Sequence, residues 1–324
     1  MSGKSVSPIN VAFCFDNNMW MLAGVAIASL LYQGVGQVVY NIYCVVPKNL
    51  GVAKRRELTD MVASLDENSS IVFLDANNDF DASVVKQYTT GIYFRFMLAK
   101  LLPNLDKIIY CDADVSFGDS LKEMFSIDMG ENIIAGVRDA SQGRMWPSNK
   151  NGYVNSGVLM LNLAEIRRLG LYEKWIELSK SDEFAYPDQD ILNKTCDGKI
   201  LYLPLKYNYM CGTDGRRLSA VVPYGIYSAD EVDEAKHNPV IVHYILRLPW
   251  LGRAHMLGDQ WWRYAAMTPF YEAFRARVNQ MPDIEIKKVL LFNFINLMTI
   301  KTRQHNVKYY LFGKIPLFRI KTVN

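Results

Sequence analysis

The chain has little that would tie it to a disulfide-stapled, zinc-bound or membrane-spanning design. Its five cysteines, Cys14, Cys44, Cys111, Cys196 and Cys211, are scattered without a CxxC pair or any clustered spacing. That pattern reads as reduced core thiols and excludes a disulfide framework or a cysteine zinc site. No uncharged apolar run is long enough to cross a bilayer as a helix. The opening MSGKSVSPINVAFCFD has one lysine and only a brief apolar stretch before Asp16, too weak a pattern for a secretory signal. The expectation is a cytoplasmic protein. Acidic residues also stop early, with none after Glu285.

That last absence divides the charge. Of the 36 basic residues eight follow Glu285: Lys287, Lys288, Lys301, Arg303, Lys308, Lys314, Arg319 and Lys321. The preceding body keeps 28 basic against 33 acidic residues, a net of −5, beneath an overall charge of only +3. A mildly acidic body and a basic tail suggest two roles. With 324 residues, half of them apolar, the chain can bury one large core. The simplest partition is a catalytic domain over 1–268 and a tail over 269–324.

Strand-like and helix-like segments alternate through the body. Ile9–Phe15, Val38–Val46, Ser70–Leu74, Lys107–Cys111, Ile133–Val137, Val154–Leu161, Lys199–Leu203 and Val240–Tyr244 read as strands. Met21–Leu31, Lys54–Leu65, Tyr93–Leu102, Leu171–Lys180 and Gln189–Thr195 read as helices, and Pro103 stops the third of these. Such alternation predicts an α/β fold, a mostly parallel sheet with helices on both faces.

The strand Lys107–Cys111 runs directly into Asp112-Ala113-Asp114. Ligands of open α/β sheets bind at the carboxyl ends of strands, so these carboxylates emerge where a ligand would sit. Paired hard oxygens suit Mn²⁺ or Mg²⁺ shared with a donor's phosphates, and the metal would neutralise charge on a departing nucleotide. The bare D-x-D pattern is common, since Asp79/Asp81 and Asp188/Asp190 also form it. A solvated turn is therefore the competing explanation for Asp112 and Asp114 taken alone.

Their company narrows the choice. The segments NVAFCFDNN (Asn10–Asn18), Tyr93–Arg95, IYCDADV (Ile109–Val115), NSGVLMLN (Asn155–Asn162), DQDILN (Asp188–Asn193) and VHY (Val242–Tyr244) fall in order over about three quarters of the chain. Together they resemble glycosyltransferase family 8, the family of bacterial lipopolysaccharide glucosyl- and galactosyltransferases and of glycogenin. The resemblance implies a Rossmann-like sheet of the GT-A type. It also implies transfer of a hexose from a UDP-sugar, UDP-glucose or UDP-galactose, with retention of anomeric configuration.

Residue roles follow from the same resemblance. Asp16 and Asn18 would hold the nucleoside, and Arg95 would contact the donor. Asp112, Asp114 and His243 would hold the metal. Asn155, Asp188 and Gln189 would surround the donor hexose, with Gln189 near the anomeric carbon, and Asp139 would line the acceptor cleft. Simpler uses stay open beside these: a helix cap for Asp16 and Asn18 or for Asp188, an ion pair for Arg95, a structural role for His243. A neutral amide at 189 is a poor nucleophile, so a front-face transfer is expected rather than a covalent sugar on the enzyme.

One departure stands out. After the histidine the family pattern Gly-x-x-Lys-Pro-Trp is replaced by Ile245-Leu246-Arg247-Leu248-Pro249-Trp250. The lysine that would meet the pyrophosphate is absent, and Arg247 or Arg253 would supply the cation. Gln87 stands where some members carry a histidine.

In the tail, Lys288 and Lys301 bracket VLLFNFINLMTI, in which Asn293, Asn296 and Thr299 recur every third position. A helix here would be amphipathic, lying in an anionic membrane interface between flanking cations. The expected partners are therefore a nucleotide sugar, a glycan or glycolipid acceptor, and an anionic membrane surface met by residues 286–324. The expected location is the inner face of the cell membrane. No nucleic-acid module is visible. Competing readings are a nucleotidyltransferase acting on a sugar phosphate and a catalytically silent sugar- or nucleotide-binding protein. The first normally needs a Gly-rich basic loop after the first strand, which Phe15–Trp20 lacks.

Overall fold

The computed structural model describes residues 8–139, 152–210, 226–245, 248–252 and 255–280, together with the backbone of four strands between 284 and 321. Arg247 and Arg253, the two candidate pyrophosphate cations, lie outside the described residues. The chain divides into two compact units, Met1–Met210 with Arg217–His243, and Cys211–Arg216 with Tyr244–Asn324. The partition expected at Thr268 falls inside the second unit.

The first unit is built on a seven-stranded sheet in the order β3-β2-β1-β4-β7-β6-β8. The strands are β1 (Ile9–Cys14), β2 (Tyr40–Val46), β3 (Ser70–Asp75), β4 (Lys107–Cys111), β6 (Ile134–Arg138), β7 (Val154–Asn162) and β8 (Ile200–Tyr202). The short β5 (Val115–Phe117) and β9 (Ile241–His243) pair with each other outside it. In the large sheet β1, β2, β3 and β4 are parallel, and β6 is parallel to β8. Only β7 is reversed, running antiparallel to both β4 and β6. That single reversal matters: it brings the start of β7 to the edge where β1 and β4 end.

Near-continuous apolar runs form the central strands because both faces are covered. Val11, Ala12, Phe13, Ile108, Ile109 and Tyr110 are fully buried. The helix Trp20–Gly34 is buried from Leu22 through Leu31, so it behaves as a core element with no polar face to speak of. It ends against the sheet at Gly34, where a Cβ would stand 2.4 Å from the Tyr40 ring. A second core cluster joins Phe80, Tyr93, Phe96 and Trp175; Phe96 and Trp175 have ring centroids 4.7 Å apart.

Two expectations need correction. The helix expected at Tyr93–Leu102 is a 3₁₀ helix over Thr90–Met97 followed by a single α-turn, Leu98–Leu101. Its β-branched and aromatic residues are weak α-formers, and the tighter turn suits them. The tail helix does not form either. Residues 284–321 make an antiparallel meander of β10 (Ile284–Leu291), β11 (Ile295–Arg303), β12 (Asn306–Leu311) and β13 (Ile315–Lys321). The three-residue spacing of Asn293, Asn296 and Thr299 was therefore no helical signal. Branched and aromatic residues in short runs favour strands, and cross-strand pairing outweighs a local period. The second unit also holds the helices Gly258–Ala265 and Tyr271–Gln280, where Trp261 packs on Phe274 at 5.0 Å between ring centroids.

Candidate active site

Four stretches of chain deliver their polar ends to one edge of the sheet. The parallel pairing of β1 with β4 sets Phe13 opposite Cys111, so Asp16 and Asp112 leave from neighbouring strand ends. The reversed β7 contributes Asn155, Ser156 and Gly157, and the Asp112 N–H donates to the Gly157 carbonyl at 2.7 Å. Directly after Asp114 the chain enters β5, whose Val115 pairs with His243 on β9. This small ladder is what sets the histidine beside the aspartates.

Ligand atoms of Asp112, Asp114 and His243 all lie within 4.8 Å of one another, and they are the group of this kind found among the described residues. His243 Nε2 is 3.2 Å from Asp114 Oδ1 and 4.0 Å from Asp112 Oδ2. The cradle is fitted around these atoms. A Cβ on Gly157 would stand 2.3 Å from His243 Cε1 and 2.7 Å from Asp112 Oδ2. Two carboxylates and an imidazole in a space kept open by a glycine suit a divalent cation such as Mn²⁺ or Mg²⁺.

Electrostatics agree with that donor set. Burial raises the Asp112 carboxyl above its usual range, with Asp114 adding to the rise and Arg95 opposing it. Burial works against a charged His243, but the neighbouring Asp114 and then Asp112 outweigh it and lift the imidazole above its ordinary value. Both shifts make protons stronger competitors with a metal for these groups than they would be on free side chains.

Arg95 is almost fully buried at the centre of the site. Its guanidinium donates to Asp112 Oδ1 at 2.9 Å and to the Ser156 carbonyl at 2.6 Å, and lies 3.2 Å from Asp188 Oδ2. Nε donates to the Ile92 carbonyl within its own 3₁₀ turn, and the cation stacks 4.5 Å from the centre of the Tyr110 ring. Burial works against its charge, but Asp112, Tyr110 and Asp188 outweigh that and raise its pKa above the ordinary arginine value. The Tyr110 hydroxyl also donates to Asp112 Oδ1. The ion pair open to Arg95 is thus present, shared between Asp112 and Asp188.

The helix Pro187–Thr195 opens with Asp188 and Gln189 buried against β7. Ser156 Oγ donates to Asp188 Oδ2 at 2.9 Å. Gln189 Oε1 accepts from Asn155 Nδ2 at 3.0 Å and from the Ser156 N–H at 2.9 Å, while Nε2 donates to Asp139 Oδ2 at 3.3 Å. Asp190 differs from Asp188: its oxygens accept from the Tyr153 hydroxyl and the Tyr186 N–H, a structural use. Asn193 clasps Val154, accepting from its N–H at 2.8 Å and donating to its carbonyl at 2.9 Å. Asp16 is not the cap that the sequence allowed: the first helix is capped at Met19 without a side-chain bond. Asp16 Oδ1 instead accepts the N–H groups of Asn18 and Met19 in the turn ahead of that helix, and Oδ2 accepts from Thr89. Asn18 is exposed beside it.

One edge of the first unit therefore gathers Arg95, Asp112, Asp114, Asp139, Asn155, Asp188, Gln189 and His243 through direct contacts. A family model, Glycosyl transferase family 8, matches residues 10–253. The chain belongs to that family. Among curated relatives of this family 8 glycosyltransferase is the lipopolysaccharide glucosyltransferase WaaO of Escherichia coli, 23% identical over 83% of the chain and 78% of that protein. Another is a lipopolysaccharide 1,3-galactosyltransferase of Salmonella typhimurium, 25% identical over 61% of the chain. That match spans 63% of the Salmonella protein. Among solved structures, the galactosyltransferase LgtC with donor and acceptor sugar analogues matches with a TM-score of 0.70. It is 22% identical, covering 83% of this chain and 100% of that one. The likeness establishes the GT-A type of fold.

Reasoning from sequence overlooked Asn208, Ser156, Tyr110 and Gly157. The last three lay inside quoted motifs without a role. Asn208 stood in no motif and had no signal of its own.

Proposed function

We propose that this family 8 transferase moves a hexose, glucose or galactose, from a UDP-sugar to a saccharide acceptor with retention of configuration. The carrying observation is the cluster of Asp112, Asp114 and His243 joined through Arg95 to Asp188. Asp112, Asp114 and His243 would hold Mn²⁺ or Mg²⁺. When bound, the cation supplies charge neutralisation for the leaving diphosphate.

The protein's own residues then do the positioning. Arg95 and Ser156 fix the Asp188 carboxylate, which would accept hydrogen bonds from donor sugar hydroxyls. The Gln189 amide is held at both ends, by Asn155 and Ser156 on its oxygen and by Asp139 on its nitrogen. An amide oxygen already accepting two N–H groups is a still weaker nucleophile, which favours the front-face path. In that path the acceptor hydroxyl approaches from the side of the departing phosphate and gives its proton to it. Asp139 would line the acceptor side; Asp16 and Asn18 would meet the nucleoside.

The test is UDP release from UDP-glucose and UDP-galactose, with and without Mn²⁺, by the wild type and by Asp114→Ala. Metal-dependent turnover lost in the variant supports the reading. No metal-dependent turnover with any nucleotide sugar counts against it. A sugar trapped covalently on Asp188, Asp190 or Gln189 would replace the front-face path.

We also propose that the tail meets an anionic membrane through one face of its sheet, placing the enzyme peripherally on the inner face of the membrane and near a glycolipid acceptor. Directly paired residues share a sheet face. Lys301, Lys308 and Arg319 form one cross-strand row that ends on Glu285; Arg303 and Lys321 extend that face on one side, and Lys288 on the other, so six cations outnumber one acid. The opposite face takes Val289, Met298, Ile300, Val307, Tyr309, Leu311, Phe318 and Ile320, with Lys287 and Thr302 at its margin. At about 1 kcal/mol per cation, changing Lys301, Lys308 and Arg319 to glutamine should weaken binding to phosphatidylglycerol vesicles roughly 100-fold. Equal sedimentation with neutral and anionic vesicles would refute it.

A further inference from the structure

The tautomer of His243 can be read from a chain of side-chain amides. His243 Nδ1 lies 3.1 Å from Asn208 Oδ1, and Asn208 is fully buried at the end of the 3₁₀ turn Leu205–Asn208. Asn208 Nδ2 donates to Asn155 Oδ1 at 2.9 Å, and Asn155 Nδ2 donates to Gln189 Oε1 at 3.0 Å. Gln189 Nε2 ends the chain on the Asp139 carboxylate.

An isolated amide could be turned over, exchanging its oxygen and nitrogen. These cannot. The Ser156 N–H meets the end of Gln189 facing it at 2.9 Å, and the Gly157 N–H meets the end of Asn155 facing it at 3.0 Å. A peptide N–H only donates, so both of those atoms must be oxygens. The Asp139 carboxylate, an acceptor, demands the same sense for Gln189. With Asn155 Oδ1 fixed, the Asn208 atom facing it must be the nitrogen, and its oxygen must face His243. The proton of a neutral imidazole is then on Nδ1, which leaves the Nε2 lone pair directed at the side where Asp114 lies 3.2 Å away.

We propose that Asn208 is a positioning residue with two tasks. It holds His243 in the tautomer whose Nε2 can bind a cation, and it joins that histidine to the Asn155–Gln189 pair beside Asp188. The first task rests on the reading of His243 as a metal ligand. Two backbone N–H groups of β7 and the Asp139 carboxylate thus select the protonation site of a histidine on another strand. A ligand's hydrogen-bond partner of this kind typically changes metal affinity 10–100-fold when removed.

The experiment uses the full-length, metal-free protein with ¹⁵N-labelled histidine, observed above the raised pKa of His243. Long-range ¹H–¹⁵N correlation should show His243 as the Nδ1–H tautomer. In Asn208→Ala the ring should shift toward Nε2–H, the form neutral histidine prefers in water. Calorimetric titration with Mn²⁺ should then give a roughly 10–100-fold weaker Kd. Asn208→Asp keeps an acceptor for Nδ1–H but cannot donate to Asn155. It should hold the tautomer and bind Mn²⁺ at least as tightly as Asn208→Ala does, while kcat falls more than donor KM changes. A wild-type His243 in the Nε2–H form overturns the proposal without any variant. So does Asn208→Ala with the wild-type tautomer and an unchanged Mn²⁺ Kd. If the wild type binds no Mn²⁺, the metal reading of His243 fails, while the tautomer result still decides what Asn208 does.

Discussion

Gly157→Ala adds one carbon to β7 at the point where the site is tightest. That carbon would lie 2.3 Å from His243 Cε1, 2.7 Å from Asp112 Oδ2 and 3.1 Å from Asn155 Oδ1. Comfortable carbon contacts are about 3.5–4.0 Å, so the imidazole would have to retreat by roughly 1.2–1.7 Å. His243 is buried in a short strand pair and cannot swing into solvent. Overpacking of this kind typically costs about 1–3 kcal/mol of stability. A displacement near 1 Å in a catalytic constellation costs on the order of 100-fold in rate. Gly157 does not have a left-handed backbone, so strain in the main chain is not part of the effect. The expected result is a folded variant with a modestly lower melting temperature, Mn²⁺ affinity reduced by about tenfold or more, and turnover reduced by about 100-fold. Gly136→Ala is the control: its Cβ would press on Leu159 and Val154 side chains, with no ligand of the site among its nearest contacts. It should cost stability and leave Mn²⁺ affinity unchanged. Wild-type Mn²⁺ binding and turnover in Gly157→Ala would refute the reasoning.

Arg95→Leu strands the buried Asp112 and Asp188 carboxylates without their shared cation and should cost about 3–5 kcal/mol in chemical denaturation. Arg95→Lys should fall between, because one ammonium cannot serve Asp112, Asp188 and the Ser156 carbonyl together. Asn193→Leu should lose roughly 1–3 kcal/mol for each Val154 peptide group left unpaired, read from urea unfolding, with little change in Mn²⁺ Kd. The metal-free protein should also respond to pH. Folding raises the pKa of both His243 and Asp112, so their stabilising contribution is complete below the unfolded values and is lost as pH climbs through the raised ones. Metal-free melting temperature should therefore fall as pH rises above about 6.5, the ordinary histidine value, and His243→Gln should flatten that fall. Mn²⁺ affinity should move the other way, rising with pH as the competing protons leave. A metal-free melting temperature that climbs over the same range would contradict the assignment.

Most of the strand order along the chain was legible because buried strands write themselves as branched and aromatic runs. Ile9–Phe15 and Lys107–Cys111 needed no context to be seen. The Asp112–Asp114 pair was legible at once as two carboxylates at a strand's end, but as one of three equal patterns. Its claim to be a site needed the ordered company of Asp16, Asn155, Asp188 and His243. The tail misled because Asn293, Asn296 and Thr299 imitate a helical period, whereas its strands owe their form to partners many residues away.

What local chemistry could determine was therefore the kind of residue and the end of the element it occupies. Which of those ends meet was decided by the fold. The reversal of β7 brings Gly157 and Asn155 to the ends of β1 and β4, and the pairing of β5 with β9 sets Val115 opposite His243. Asn208 has no local mark at all. Its part in the site arises because a 3₁₀ turn places one amide between a histidine and an asparagine from two other strands, and hydrogen-bond direction is a property of neighbours in space.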